Sequence, residues 1–288
     1  MRRTWRQVAA RDGTLLATET TVWGEDARPT LIASHATGFC KEVYHPVVEE
    51  LSSLVPAARV VLFDHRAHGD SDVAAPPYDW WDLGRDVLSV VGPRRPVAGL
   101  GHSAGAAALV MAELLAPGTF HLLVLVEPIV FPGPYGRLAD HPLVEAALKR
   151  RRIFSSPEAA YDNFADKPAF ASWDRRALAA YVAGGLAPSD EGWGLKCPPE
   201  SEADFYRGAS AHGAWERLAE VDSDVILIAG EHSDSHPGDF LDATAERLGA
   251  DHVDVVAGAS HFVVMEAPGR IAGHVAAHLT AGSAPRPR

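Results

Sequence analysis

Residues 97–115 read VAGLGHSAGAAALVMAELL and carry the strongest signal in the chain. The apolar run Val97–Leu100 predicts a strand, and the small and apolar residues Ala104–Leu115 predict a helix. A G-x-S-x-G sequence in this setting forms a tight turn that raises its serine above the sheet in a strained backbone conformation. We expect a Cβ at either flanking glycine to collide with a neighbouring strand or helix. The pattern predicts Ser103 as a nucleophile, with a glycine-rich turn around an incidental serine as the alternative.

Short apolar runs alternate with helical patterns along the rest of the chain. Runs that are apolar on both faces are typical of a largely parallel sheet that helices cover on both sides. Right-handed crossovers make such a sheet doubly wound. The sequence therefore predicts an α/β fold with strands at Thr4–Ala9, Leu15–Trp23, Thr30–Ser34, Arg59–Phe63, Val97–Leu100, His121–Val126, Val225–Ala229 and His252–Val256.

Residues 131–214 break this rhythm, because they contain many proline, glycine and aromatic residues and no β-type apolar run. A length prior of roughly 150 residues per domain suggests two domains, but one α/β domain with an insertion fits equally well. We interpret residues 131–214 as a helical cap, and residues 1–130 and 215–280 as the two parts of a single core. Residues 281–288 are expected to form a flexible tail.

Composition excludes several classes of partner. The 288 residues include 26 Lys and Arg and 38 Asp and Glu, which gives a net charge of −12. Nucleic acids and anionic membrane surfaces both attract clustered cations, so neither is expected to bind this protein. Two cysteines are too few for a disulfide framework, and the N-terminal residues have no apolar run after their charges, so no signal peptide is expected. Both features favour the cytoplasm. No run of about 18 apolar residues predicts a membrane span.

Three further motifs accompany the serine turn. HATGF at His35–Phe39 follows one predicted strand, DHRAHGDS at Asp64–Ser71 follows the next, and GASHF stands at Gly258–Phe262. With these motifs the chain resembles the α/β-hydrolase superfamily over about Leu31–Val126 and Val225–Leu279. The resemblance implies a doubly wound, mostly parallel, eight-stranded sheet with a cap, an oxyanion loop at HATGF, and no cofactor.

A serine nucleophile needs two further side chains to activate it. An imidazole must take the hydroxyl proton, and a carboxylate must hold that imidazole in the correct tautomer. Among fourteen histidines, the resemblance of GASHF to the family's C-terminal motif implies that His261 is the base. Resemblance to members with a Gly-x-x-Ser-Asp loop implies Asp234 as the acid. Glu127, which follows a predicted strand, is the alternative acid, or else a structural carboxylate that supports the cap.

Backbone N–H groups are expected to stabilise the negative oxygen of the tetrahedral intermediate. The resemblance implies that one comes from Ala104, directly after the nucleophile, and the other from Thr37. Ala36 stands where the family most often has glycine, so Gly38 and Phe39 remain alternatives to Thr37.

Residues beside these motifs are expected to bind substrate, namely Phe39, His102, Phe131 and Phe262. For His102, local packing or hydrogen bonding is the alternative. Two small groups of histidine and aspartate have spacings that can hold zinc. Neither group offers a full ligand set, so no metal site is expected.

Together these features predict a serine hydrolase of a small to medium carboxylic ester that reacts through an acyl-enzyme. Carbon–carbon, lactone or thioester hydrolysis and peracid formation share the same triad and remain alternatives. A non-catalytic ligand receptor on the same fold is an alternative of another class. The expected partner is a small-molecule substrate, and a homo-oligomer is left open.

Overall fold

The structure is a computed structural model that describes residues 1–25 and 30–279, so the predicted tail at 281–288 lies outside the described residues. The strands in the described ranges are β1 (Arg2–Ala9), β2 (Leu15–Trp23), β3 (Thr30–Ser34), β4 (Ala58–Phe63), β5 (Val97–His102), β6 (Phe120–Val126), β7 (Ile153–Phe154), β8 (Leu186–Ser189), β9 (Gly192–Leu195), β10 (Asp224–Gly230) and β11 (His252–Val256). The α-helices there are α1 (His45–Leu54), α2 (Trp80–Val91), α3 (Ala104–Leu115), α4 (Pro142–Leu148), α5 (Pro157–Ala165), α6 (Arg175–Gly185), α7 (Pro199–Gly208), α8 (Gly238–Leu248), α9 (Val263–Glu266) and α10 (Pro268–Leu279). None of these helices has the length and apolar character that crossing a membrane requires.

Eight strands form one sheet in the order β1-β2-β4-β3-β5-β6-β10-β11. β2 pairs antiparallel with β1 and β4, and every later pair in this order is parallel. The carboxyl ends of parallel strands share one edge of a sheet, and ligand sites in α/β folds lie outside that edge. The loops that follow β3, β5, β6, β10 and β11 therefore meet at one place. This arrangement confirms the predicted mostly parallel, eight-stranded sheet.

Alternate residues of the central strands enter two separate apolar clusters, one on each face of the sheet. Leu122 and Val124 of β6 share a cluster with residues of α1 and α10. Leu123 and Leu125 of the same strand share the other cluster with residues of α2 and α3. Because helices cover both faces, the sheet is doubly wound as predicted.

Residues 131–214, the segment interpreted above as a cap and called the cap below, contain four helices, α4–α7, and also a small sheet. Strands β7, β9 and β8 pair antiparallel in that order. The expectation that residues 131–214 hold no strand is therefore wrong. These strands have two to four residues each, and β9 is only half-buried, so no apolar run marks them in the sequence.

The cap does not bury a separate main core. Phe154, Phe164, Trp173 and Tyr181 of the cap pack in the same apolar cluster as Val47 of α1. Because apolar side chains of the cap and of the sheet belong to one cluster, the cap packs directly against the core.

Candidate active site

Ser103 lies at the turn between β5 and α3. Its backbone adopts φ 56° and ψ −118°, a conformation that costs free energy for any residue other than glycine. A Cβ at Gly101 would lie 2.5 Å from Cα of Ala106, and a Cβ at Gly105 would lie 2.0 Å from the backbone oxygen of Ser34. Both contacts are with backbone, so neither neighbour can rotate away. The turn therefore requires both flanking glycines, one against the helix and one against β3.

The turn is fixed to the end of β6. The N–H of Ser103 donates to the backbone oxygen of Val126 at 2.9 Å, and the N–H of Ile129 donates to the oxygen of Ser103 at 3.3 Å. These two bonds hold the serine beside the loop that begins with Glu127. The side chain of Ser103 is almost buried, with 8% of the residue exposed.

His261 lies in the loop between β11 and α9, and its Nδ1 faces a carboxylate. That atom is 3.1 Å from Oε2 of Glu127 and 2.9 Å from Oγ of Ser235. A carboxylate only accepts, so Nδ1 carries a proton, and in the neutral form of the ring Nε2 keeps its lone pair. In the described ranges no hydrogen bond joins His261 to Oγ of Ser103. Such bonds are often long in a free enzyme and tighten when substrate binds.

Glu127 is fully buried and accepts hydrogen bonds from several sides. Its Oε1 accepts from the N–H of Gly230 at 2.8 Å, and its Oε2 lies 2.9 Å from Nδ1 of His236. Oε2 also accepts from the hydroxyls of Ser233 and Ser235, each at 2.6 Å. Burial alone would raise the pKa of Glu127, but hydrogen bonds from the two histidines and their charges outweigh it and hold the pKa well below its usual range. Glu127 is therefore an anion throughout the range in which a histidine acts as a base.

Asp234, the acid expected from the sequence, does not lie at this position. Its side chain is exposed, whereas its neighbours Ser233 and Ser235 both point toward Glu127. The carboxylate against His261 is Glu127, the alternative acid. Glu127 reaches the imidazole because its backbone takes φ 52°, which turns the side chain toward the end of β10.

The backbone N–H groups of the loop after β3 differ in whether they have a hydrogen-bond acceptor. The N–H of Gly38 donates to Nε2 of His68 at 2.9 Å, and the N–H of Phe39 donates to the oxygen of Ala36 at 3.3 Å. Across the described ranges, the N–H groups of Thr37 and Ala104 have no hydrogen-bond acceptor. The N–H groups of the alternatives Gly38 and Phe39 thus already have acceptors within the protein.

Three buried histidines support this loop from below. Nδ1 of His35 donates to the oxygen of Ala36 at 2.8 Å, and Nε2 of His65 lies 3.0 Å from Oγ of Ser34. Burial lowers the pKa of His65 to about 3 and that of His68 to about 4, and it holds the pKa of His35 well below its usual value. All three imidazoles are therefore neutral at pH 7, and their hydrogen bonds hold this loop and the end of β3 in place.

Aromatic residues lie beside the loop that bears Thr37. The rings of Phe39 and Phe262 are 5.9 Å apart, and Trp173 of the cap contacts both, at 5.3 and 5.6 Å. Tyr181 of the cap also donates from its hydroxyl to the backbone oxygen of Gly38 at 3.3 Å. The structure thus brings two of the expected substrate-binding residues together, and the cap adds an aromatic side chain to them.

The other two expected substrate-binding residues lie elsewhere. His102 is buried, and its Nε2 donates to the backbone oxygen of His261 at 2.8 Å. Phe131 packs against His236 and Phe240, at ring distances of 6.4 and 5.4 Å. His102 therefore supports the loop that carries His261, and Phe131 lies on the side of Glu127, next to His236. Burial lowers the pKa of His102 to about 3, so the ring is neutral.

Sequence reasoning missed the residues that surround the acid. Ser233, Ser235 and His236 all contact Glu127, yet in the sequence they only flank the expected acid Asp234. The signal that could have found them is the density of polar residues in SDSH. Across the described residues, no group of three or more histidine, cysteine, aspartate or glutamate side chains is arranged to hold a metal ion.

A sequence profile of the alpha/beta hydrolase family matches residues 31–274. The chain belongs to that family. Within it, the chain is 25% identical to the "Peroxisomal membrane protein LPX1" of Saccharomyces cerevisiae, over 88% of this chain and 75% of that protein. It is 27% identical to the "Type I acyl-CoA thioesterase mpaH" of Penicillium roqueforti, over 52% of this chain but only 38% of that longer protein.

Solved structures of hydrolases share the fold. The "Peroxisomal alpha-beta-hydrolase Lpx1" of Saccharomyces cerevisiae superposes with a TM-score of 0.81 at 20% identity, over 98% of this chain and 90% of that one. The "esterase RhEst1" from Rhodococcus sp. ECU1013 superposes with a TM-score of 0.72 at 20% identity, over 97% and 99%. At such sequence identities the structural similarity shows the fold of this hydrolase but not its substrate.

Proposed function

We propose that this hydrolase cleaves small to medium carboxylic esters through a covalent acyl-enzyme, with Ser103 as nucleophile, His261 as base and Glu127 as the acid of the triad. The observation that carries the proposal is the strained turn at Ser103, which the two flanking glycines permit and which ends next to Glu127. A backbone held in such a conformation is common at active sites, where the strain presents the reacting group.

The proposed reaction begins with proton transfer from Ser103 to Nε2 of His261 while Oγ attacks the ester carbonyl carbon. The carbonyl oxygen becomes negative and is stabilised by the N–H groups of Thr37 and Ala104, which have no other acceptor in the described part of the chain. His261 then gives its proton to the leaving alcohol, and the acyl group stays on Ser103. Water repeats the sequence, releasing the acid and restoring the serine.

Glu127 supports this cycle without taking a proton. It keeps the Nδ1–H tautomer of His261 and stabilises the imidazolium that forms in both halves of the reaction. The low pKa of Glu127 supports this role, because a carboxylate that is hard to protonate leaves the proton on the imidazole.

The apolar character of the substrate is supported by the rings of Phe39, Phe262 and Trp173, which adjoin the oxyanion loop and the loop of His261. A small-molecule substrate and a cytoplasmic location remain our expectations, and the latter is supported by two unpaired, buried cysteines. The peroxisomal name belongs to the yeast relative alone.

A fluorophosphonate probe tests the nucleophile. Such probes phosphonylate an activated serine, so the parent protein should be labelled and Ser103→Ala should not. The same variant should lose hydrolysis of p-nitrophenyl acetate and butyrate. Label that survives in Ser103→Ala, or a folded parent protein that neither reacts with the probe nor hydrolyses any ester, would contradict the proposal.

Thioester hydrolysis is a second candidate, because the fungal relative that matches half of this chain is named an acyl-CoA thioesterase. The same triad serves both reactions, but a thiolate leaves with less help from an acid than an alkoxide does. Comparing kcat/KM for an ester and a thioester of the same acyl group distinguishes the two. A clear preference for the thioester would replace the ester proposal while leaving the triad in place.

A further inference from the structure

Two histidines share one oxygen of Glu127. Nδ1 of His261 is 3.1 Å from Oε2, and Nδ1 of His236 is 2.9 Å from the same atom. The triad as proposed above uses only the first of these bonds. The second bond therefore has no role in the reaction steps given above, although it is the shorter of the two.

The surroundings of His236 define its tautomer. The residue is 3% exposed, and its ring packs against Phe131 and Phe240. Nε2 is buried and has no hydrogen-bond partner among the described residues. Because Glu127 can only accept, Nδ1 carries the proton and donates it, and Nε2 is left as a bare acceptor. A proton on Nε2 would have no acceptor among the described residues.

We propose that His236 is a positioning residue, a second histidine that donates from Nδ1 to Glu127 and so limits how strongly this carboxylate stabilises the protonated form of His261. The inference rests on the proposed function, since it assigns His236 a role in the same triad. It acts through Glu127 and through Ser235, whose Oγ lies 3.1 Å from Nδ1 of His236 and 2.9 Å from Nδ1 of His261. In the described residues it makes no hydrogen bond to Ser103 or His261 itself.

The physical basis is the distribution of charge on one carboxylate oxygen. Each donor on Oε2 takes up part of the negative charge and reduces what is available to the imidazolium of His261. The hydroxyls of Ser233 and Ser235 act on the same oxygen and in the same direction. His236 therefore keeps His261 in its free-base form down to lower pH than Glu127 alone would allow.

Few other titratable groups contact this network in the described part of the chain. His102 is the nearest, with its ring 5.1 Å from that of His261, and it is neutral because burial lowers its pKa to about 3. Asp234 is exposed on the far side of the loop. A change in the titration of His261 on replacing His236 therefore reports the hydrogen bonds that His236 makes to Glu127 and to Oγ of Ser235.

The test compares His236→Phe with His236→Asn. Phenylalanine removes the donor and keeps the ring packing, whereas asparagine places an amide N–H near the position of Nδ1. His232→Gln is the matched control, because His232 is an exposed histidine on the same loop whose side chain has no partner among the described residues. The protonation of His261 is followed by NMR of carbon-13-labelled histidine, with the signal assigned through His261→Gln.

We expect His236→Phe to raise the pH midpoint of His261 by about half to one unit, since one charge-assisted hydrogen bond to Glu127 is lost. His236→Asn and His232→Gln should stay within about 0.2 unit of the parent protein. An unchanged midpoint in folded His236→Phe overturns the proposal, as does an equal shift in His236→Asn. A merely structural role would lower stability and leave the midpoint in place.

A measurement on the parent protein covers the case in which His236→Phe does not fold. Nitrogen-15 NMR of the imidazoles reports which ring nitrogen carries the proton, and the proposal requires Nδ1–H on His236 from about pH 6 to 8. A proton on Nε2 would overturn it. Neither NMR readout needs a substrate, so a failure of the ester proposal, seen as absent probe labelling and absent hydrolysis, is distinguishable from a failure of this one.

Discussion

Nδ1 of His261 lies 3.1 Å from Oε2 of Glu127, so the contact joins the loop after β11 to the loop after β6. Between these two strands lies β10, and the loop after it carries Asp234 outward into solvent. The carboxylate therefore reaches the imidazole from the strand adjacent to the one that bears Ser103. This relationship makes Glu127 and Asp234 separable by experiment.

Replacing Glu127 by Gln should reduce kcat for a p-nitrophenyl ester by roughly 10³–10⁴, because an amide cannot stabilise the imidazolium and favours the wrong tautomer of His261. Asp234→Asn removes an exposed carboxylate that contacts neither residue, so its kcat should stay within about two-fold of the parent value. Initial rates under saturating substrate measure both. A severe loss of kcat in Asp234→Asn with a mild effect in Glu127→Gln would show that Asp234, in the loop after β10, is the acid.

The turn at Ser103 could be predicted from the sequence, because a turn this tight requires glycine at fixed positions on both sides of the serine. The glycines around Ser103 are required by contacts with Ser34 and Ala106, and any sequence that folds through so tight a turn needs them. The alternation of short apolar runs with helical patterns likewise predicted the sheet.

The sequence could not decide between Asp234 and Glu127 as the carboxylate beside His261, because the choice depends on backbone dihedral angles that residue types do not specify. Glu127 adopts φ 52°, which is uncommon for a residue with a Cβ. In the loop after β10, Ser233 and Ser235 face inward while Asp234 faces outward, and no spacing rule distinguishes these two orientations. The cap sheet was missed because its strands are too short to show a period.

Gly105→Ala should destabilise the protein by about 3 kcal/mol, because the new Cβ would lie 2.0 Å from the backbone oxygen of Ser34 and β3 cannot move aside. Gly273→Ala is the matched control, since a Cβ there has no heavy atom within 4 Å and alanine favours the interior of α10. That variant should be more stable by about 0.5–1 kcal/mol. Urea denaturation followed by circular dichroism compares the two. If the two variants have the same free energy of unfolding, the close approach of Gly105 to the backbone of Ser34 is wrong.

His102→Phe should lower kcat about ten-fold, which corresponds to about 1.4 kcal/mol, because it removes the N–H that fixes the backbone oxygen of His261. His102→Gln supplies an amide N–H at a similar reach and should restore part of the rate. The expected change is in kcat and in the rate of fluorophosphonate labelling, with KM little affected, since the ring contacts the loop of the base. If KM rises and kcat does not fall, His102 binds substrate as the sequence first suggested.

Stability should fall as the pH drops below about 6.5, because buried neutral histidines resist protonation in the folded state. Burial lowers the pKa of His65 from 6.5 to about 3 and that of His68 from 6.5 to about 4. In this window the unfolded chain binds protons that the folded chain does not, so the free energy of unfolding rises with pH. Each such histidine contributes about 1.4 kcal/mol per pH unit.

Urea denaturation at pH 7.5, 6.0 and 5.0 measures this dependence, and His68→Gln tests its source. Glutamine keeps an acceptor for the N–H of Gly38 but removes one titrating group. Its stability should therefore decline with falling pH by about 1.4 kcal/mol per unit less than that of the parent protein. A slope identical to that of the parent would mean that His68 is protonated in the folded state. The conclusion that a neutral His68 accepts the N–H of Gly38 would then be wrong.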